Sequence, residues 1–182
     1  TILFDQDEDS TTSAEITLSE LVEIMNWRFI QLKPDDRFIG VEHWVCDGKI
    51  VAACFDWSIH WKRGEFDVSQ APNLIILLAD CQLTEVDVSN NPELRELYII
   101  ENELTELDVS NNPKLTHLEV DCNELIKLDV SNNLELTNIG VSCNQLTELD
   151  VSYNPKLDGL RIWDNQLTEL DVSNNLELTE LT

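Results

Sequence analysis

His43, Cys46, Cys54 and His60 are residues of the types that bind zinc, and a tetrahedral site would need all four to converge. Their placement depends on the backbone around Asp47-Gly48, which lies between FIGVEHWVC and KIVAACFDW. An Asp-Gly pair between two strand-forming runs predicts a hairpin with a two-residue turn. In that register Cys46 opposes Lys49, Trp44 opposes Val51 and Glu42 opposes Ala53. Strict alternation then puts Cys46 and Cys54 on opposite faces and leaves only His43 beside Cys54. Two ligands do not make a tetrahedral site, so no metal is expected. No third group is placed to orient a Cys/His nucleophile. Buried small thiols and a partly buried histidine are the expected state.

A second kind of chemistry lies in two columns of charge. Glu85, Glu106, Lys127, Glu148 and Glu169 recur beside Asp87, Asp108, Asp129, Asp150 and Asp171. Stacked carboxylates invite a calcium reading. A calcium site, however, needs several oxygens converging on one point, and the glycine-rich phrase of calcium-binding repeats is missing. The columns could instead face a basic partner. A third set does not repeat. Arg95, Glu96 and Tyr98 give way to Thr116, His117 and Glu119, then Thr137, Asn138 and Gly140, then Asp158, Gly159 and Arg161. A solvated face can stay monotonous, whereas an irregular partner calls for different groups at each step. Ile100 and Trp163 lie one step beyond inward residues and should also point outward. Arg95, Tyr98, Ile100, His117, Glu119, Arg161 and Trp163 therefore form the candidate partner-binding set, with aromatic and Arg types common in binding hot spots. Drift on a free surface is the competing explanation.

What positions these sets is a unit of 21 residues that begins at Leu83, Leu104, Leu125, Leu146 and Leu167. The second copy reads LTELDVSNNPKLTHLEVDCNE, which is LxxLxVxxN twice. A fixed period of this length means stacked units, each too small to bury its own apolar face. The pattern resembles leucine-rich repeat (LRR) proteins, specifically the nested bacterial kind with alternating half-repeats of 11 and 10 residues. The resemblance covers roughly residues 63–182 and implies a right-handed solenoid used mainly for protein binding, without catalysis in its repeats. Alternation alone puts Leu107 and Val109 on one face of a short strand and Asp108 on the other. Two such strands per coil predict two narrow parallel sheets facing each other across a leucine core. Asn91, Asn112, Asn133, Asn154 and Asn175 should point inward and satisfy the turning backbone. With strands about 4.8 Å apart, neighbouring Asp residues repel by roughly 0.9 kcal/mol if fully screened by water, a cost the core can carry.

The chain has 182 residues, enough for one or two domains with a real core. Its 36 acidic and 11 basic residues give a formal charge of −25. That excludes ordinary binding to nucleic-acid phosphates and permits a basic protein partner; it is also a solubility device for an elongated protein. The five cysteines, at 46, 54, 81, 122 and 143, are odd in number and lack paired short spacing, against a secreted disulfide framework. Cys122 and Cys143 are stacked neighbours. A disulfide between them is geometrically conceivable, but free thiols are expected in a reducing compartment. No transmembrane run or signal-peptide core is present, so no membrane partner and a cytoplasmic location are expected. The start at Thr1 fits a processed or trimmed chain.

Residues 1–16, with Asp5, Asp7, Glu8 and Asp9, read as a loose acidic tail. Residues 17–62 read as an α+β N-terminal cap. Thr17 and Glu20 form a capping box for a largely buried helix over 18–32, and a hairpin spans 38–57 with both faces apolar. The helix is expected on one face of the hairpin and the first coil beneath the other. Residues 63–182 form the solenoid. Its entry is irregular, because 74–83 is one residue short and the ladder Asn is missing before Gln82. At the other end the chain stops within a half-repeat, exposing leucines that a second copy could cover in a homodimer, unless the chain is a fragment.

The expected fold is a β-rich solenoid with this small cap. The leading function is a non-catalytic protein-binding module that uses no cofactor. One alternative is an acidic inhibitor, bacterial or phage, whose carboxylate columns imitate nucleic-acid phosphates. A bacterial surface adhesin is another.

Overall fold

The computed structural model describes the backbones of β1 (Glu42–Cys46) and β2 (Lys49–Asp56), then residues 68–69, 71–80 and 83–182. The expected acidic tail and cap helix lie outside the described residues. Six further strands follow: β3 (Ile76–Asp80), β4 (Glu96–Ile99), β5 (His117–Glu119), β6 (Asn138–Gly140), β7 (Gly159–Arg161) and β8 (Glu180–Leu181). They form one sheet in the order of the sequence, parallel from β2 onward. This is a solenoid in which each turn of chain returns beside the last. Equivalent residues step 20 positions from Ile76 to Glu96 and 21 from Glu96 to His117, so the short first unit is absorbed without breaking the ladder.

Each strand is short because only its inward residues hold it. Leu118 and Val120 on β5 and its exit, like Ile139 and Val141 one coil on, are fully or almost fully buried. They join Leu104, Leu107, Val109 and Leu115 and their equivalents in one continuous core.

Parallel strands form only in the second half of each unit. The LDV half, expected to make a facing sheet, sends Leu107 and Val109 inward but forms no strand. The cause is local. Asp108 Oδ1 accepts the N–H of Ser110 at 2.9 Å, and Asn112 N–H turns back to Val109 O at 3.0 Å. The same Asp-to-Ser bond recurs at Asp87, Asp129, Asp150 and Asp171. Asp and Ser thus spend on a turn the backbone groups that a ladder would need.

Two asparagine ladders run through the molecule. Nδ2 of Asn91, Asn112, Asn133, Asn154 and Asn175 each donates to two carbonyls of the preceding coil at 2.8–3.1 Å. Asn102, Asn123, Asn144 and Asn165 form the second. Their Oδ1 atoms accept the N–H of Leu83, Leu104, Leu125 and Leu146. The residue before each of these is left-handed: Glu101, Cys122, Cys143 and Asp164 have φ of 56°, 56°, 52° and 57°. The Asn hydrogen bonds hold that unfavourable backbone in place. Along one turn edge Glu93 pairs with Lys114 at 2.6 Å and Glu135 with Lys156 at 2.5 Å, exposed contacts of small energy.

The hairpin forms at Asp47-Gly48 with Cys46 opposite Lys49, but its register slips farther along. Trp44 lies opposite Ala52 rather than Val51, and Glu42 opposite Cys54 rather than Ala53, because a bulge falls between Trp44 and Val45. That bulge removes the strict alternation on which the opposite-face placement of Cys46 and Cys54 rested. The hairpin also sits differently from expectation. It joins the sheet edge to edge, β2 pairing with β3 from Ala52↔Ile76 to Asp56↔Asp80. An open strand edge has unpaired N–H and C=O groups, and continuing the ladder satisfies them.

Candidate interaction surface

From β3 onward, every second residue of the sheet points away from the core. Ile76 and Leu78 on β3, Glu96 and Tyr98 on β4, His117 and Glu119 on β5, Asn138 and Gly140 on β6, and Gly159 and Arg161 on β7 share this outward face. Ile100, Asp121, Ser142 and Trp163 continue it one step past the strands. The structure therefore brings Tyr98, Ile100, His117, Glu119, Arg161 and Trp163 of the expected set onto one surface. Arg95 stands exposed at its entry edge, where its carbonyl accepts the N–H groups of Thr116 and His117.

The side chains interlock across coils. Tyr98 Oη donates to Glu96 Oε2 at 3.0 Å, and Glu96 is only 6% exposed. Burial pushes the Glu96 carboxyl above its ordinary value, partly offset by that hydrogen bond and by His117. The Tyr98 hydroxyl is raised as well, first by burial and then by the Glu96 charge. Arg161 reaches back two coils to hydrogen-bond Glu119 Oε2 and lies 3.6 Å from Asp121. It can do so because Gly140 stands between them without a side chain. A Cβ there would sit 2.2 Å from Glu119 Oε2 and 3.0 Å from the Arg161 guanidinium. Gly159 similarly accommodates Asn138, whose Nδ2 would lie 2.6 Å from a Cβ. Burial raises the Glu119 carboxyl although Arg161 pulls it down. Beside this network Ile100 and Trp163 are open to solvent, Trp163 at 55%.

Glu96, Asp121, Asn138, Gly140 and Gly159 belong to this surface and were not in the expected set. Asp121 carried a signal: it sits one alternation step past Glu119, as Trp163 does past Arg161. Gly140 carried one too, as the gap in an otherwise side-chain-bearing column.

The acidic columns occupy the turn side instead. Asp87, Asp108, Asp129, Asp150 and Asp171 lie below the ordinary carboxylate value, held there by hydrogen bonds from the Ser two residues on. Repulsion from Asp87 and Asp129 acts on Asp108 but is the smaller effect. Glu85, Glu106, Glu148 and Glu169 are exposed beside them, and Lys127 approaches Glu148 at 3.7 Å. A shallow groove runs between Glu85, Asp87, Glu106, Asp108, Lys127 and Asp129. Among the described residues, no group of three or more His, Cys, Asp or Glu is placed to hold a metal ion, and no helix is long and apolar enough to cross a membrane.

The 21-residue period, the asparagine ladders and the parallel sheet give this chain the leucine-rich repeat fold, as found in bacterial proteins of that kind. Among solved structures it is similar to the functional domain of InlJ from Listeria monocytogenes, described as including a cysteine ladder, with 37% identity over 64% of this chain and 31% of that one and a TM-score of 0.52. An internalin C2 from Listeria monocytogenes shares the fold at 23% identity, 63% and 54% coverage and a TM-score of 0.56. A leucine-rich repeat protein of Leptospira interrogans does so at 22% identity, 62% and 32% coverage and a TM-score of 0.59. The chain spans about a third to a half of the length of these three. Neither the family models nor the curated proteins give a match.

Two expected results test the geometry. With its carboxyl raised, folded Glu96 binds a proton more tightly than the unfolded chain does. Stability is therefore lost as pH rises from the ordinary value of 4.5 through the raised one. Glu96→Gln keeps an oxygen for Tyr98 and removes the buried charge. It should be more stable than wild type near pH 7, with the advantage shrinking towards about pH 4, in urea unfolding at both. At Gly140, the atoms a Cβ would strike are the ends of flexible side chains. Gly140→Ala should therefore cost no more than about 1 kcal/mol while separating Arg161 from Glu119. The Glu119 carboxyl, deprived of the guanidinium, should then titrate at higher pH by NMR.

Proposed function

We propose that the chain is a non-catalytic protein-binding module whose outward sheet face, from Glu96 and Tyr98 to Arg161 and Trp163, receives the partner. One observation carries this reading. The inward residues are nearly identical from coil to coil, yet the outward ones differ and are held in an ordered network, with Glu119, Arg161 and Asp121 joined across Gly140 beside exposed Ile100 and Trp163. Fixed polar groups beside open aromatic surface are what a preorganised interface needs. The partner we favour presents a basic surface. The only Arg of the network is already committed to Glu119 and Asp121, leaving the exposed carboxylates of the surrounding acidic coils to meet it. The acidic-decoy reading gains less support, because each column Asp has a structural task in its own turn. A cytoplasmic site of action is part of this reading, and cell fractionation separates it from surface adhesion.

Capture of partners on the immobilised chain, at low and high salt and with nuclease added, tests the reading. A partner retained by wild type and lost with Trp163→Ala supports it. Retention that ignores Trp163 and Arg161 but vanishes with Asp108→Asn and Asp129→Asn would transfer the site to the acidic columns.

A further inference from the structure

We propose that Cys122 and Cys143 form a reversible disulfide that staples two neighbouring coils at the exit edge of the outward face when the chain meets a disulfide oxidant. Both thiols are free in this structure, Cys122 exposed and Cys143 partly so. They occupy the same place in successive coils, three residues past the paired Glu119 and Gly140. The coils are bonded to each other there: Cys122 N–H donates to Ser142 O at 2.9 Å, and Cys143 N–H to Trp163 O of the following coil at 3.0 Å. Parallel neighbours stand about 4.8 Å apart, within the roughly 4.4–6.8 Å that disulfide-linked Cα atoms span. Both residues share the same left-handed backbone beyond the strand ends, so their side chains leave in the same direction. Loss of water pushes the Cys143 thiol up to about 11, and the neighbouring Cys122 adds to the rise.

With oxidised glutathione as the oxidant, the more exposed Cys122 reacts first. Its thiolate attacks one glutathione sulfur, forms a mixed disulfide and releases one glutathione thiol. Cys143 then gives up its proton, attacks the Cys122 sulfur and expels the second. The protein loses two hydrogens and two electrons, and oxidised glutathione becomes two molecules of the reduced form.

The test takes the reduced full chain, incubates it with oxidised glutathione, alkylates the remaining thiols and maps the peptides. The expected product links Cys122 to Cys143 and unfolds about 6 °C or more above the reduced chain, an increment that a reductant abolishes. In Cys143→Ser the reaction should stop with glutathione on Cys122. The proposal is overturned if wild type stops at that mixed disulfide, if both thiols remain alkylatable, or if either one pairs with Cys46, Cys54 or Cys81 instead.

Discussion

Asn144→Ala is expected to destabilise the chain by about 3–5 kcal/mol, and Asn133→Ala by only about 2–3, although both asparagines are buried and both sit in ladders. The difference lies in what each amide does. Asn144 Nδ2 faces the carbonyls of Val120, Val141 and Ser142 at 2.9, 3.2 and 3.1 Å, and its Oδ1 accepts the N–H of Leu125 at 3.0 Å. Truncation strands a buried donor as well as carbonyls, and releases the left-handed turn at Cys143. Asn133 Nδ2 serves Val109 O and Asn112 O at 3.0 and 2.9 Å, but its own Oδ1 is buried without a partner. Alanine there loses two bonds and also deletes an unsatisfied acceptor, which offsets part of the loss. Urea midpoints compared at unchanged slope would decide between them. Equal costs, or a larger one at Asn133, would show that the two ladders do not differ as their contacts imply.

Most of the solenoid was legible because its signals are local and repeated. The period of 21, the alternation at Leu118 and Val120, and the amide at the end of each phrase depend on no distant partner. The unequal roles of the two half-repeats were less visible, since LDV and LEV have the same apolar pattern. Their difference lies in the Asp-Val-Ser order, which recurs in every first half at Asp87, Asp108, Asp129, Asp150 and Asp171 and in no second half. The hairpin turn was readable and its bulge was not. In KIVAACF nearly every side chain is apolar, so no polar residue marks where alternation slips beside Val51. At the candidate site, the outward positions followed from alternation, but the Glu119–Arg161 bond did not. It spans 42 residues, two units rather than one, and exists only because Gly140 leaves the intervening place empty. Spacing identifies stacked neighbours; it does not show which side chain reaches over a glycine to the next.

Trp163→Ala is expected to weaken partner binding by about 30- to 700-fold, some 2–4 kcal/mol, with the folding midpoint almost unchanged. The ring is more than half exposed in the free chain, so little packing is lost by removing it. Arg161→Ala is the more informative companion, because its sign depends on the partner. The guanidinium is shared by Glu119 and Asp121, and deleting it leaves two partly buried carboxylates without their cation. A basic partner can supply a new cation, so its affinity should fall little or rise. A partner that uses Arg161 as its own contact should lose affinity alongside Trp163→Ala. Both results are readable by calorimetry at two salt concentrations, since a basic partner drawn by net charge loses affinity as salt screens it. Asp108→Asn with Asp129→Asn is the control for the opposite side. Asparagine keeps an oxygen for the Ser110 and Ser131 N–H groups, so the turns survive while two charges go. If that pair abolishes binding and Trp163→Ala does not, the monotonous face is the functional one and the variable face is the product of drift.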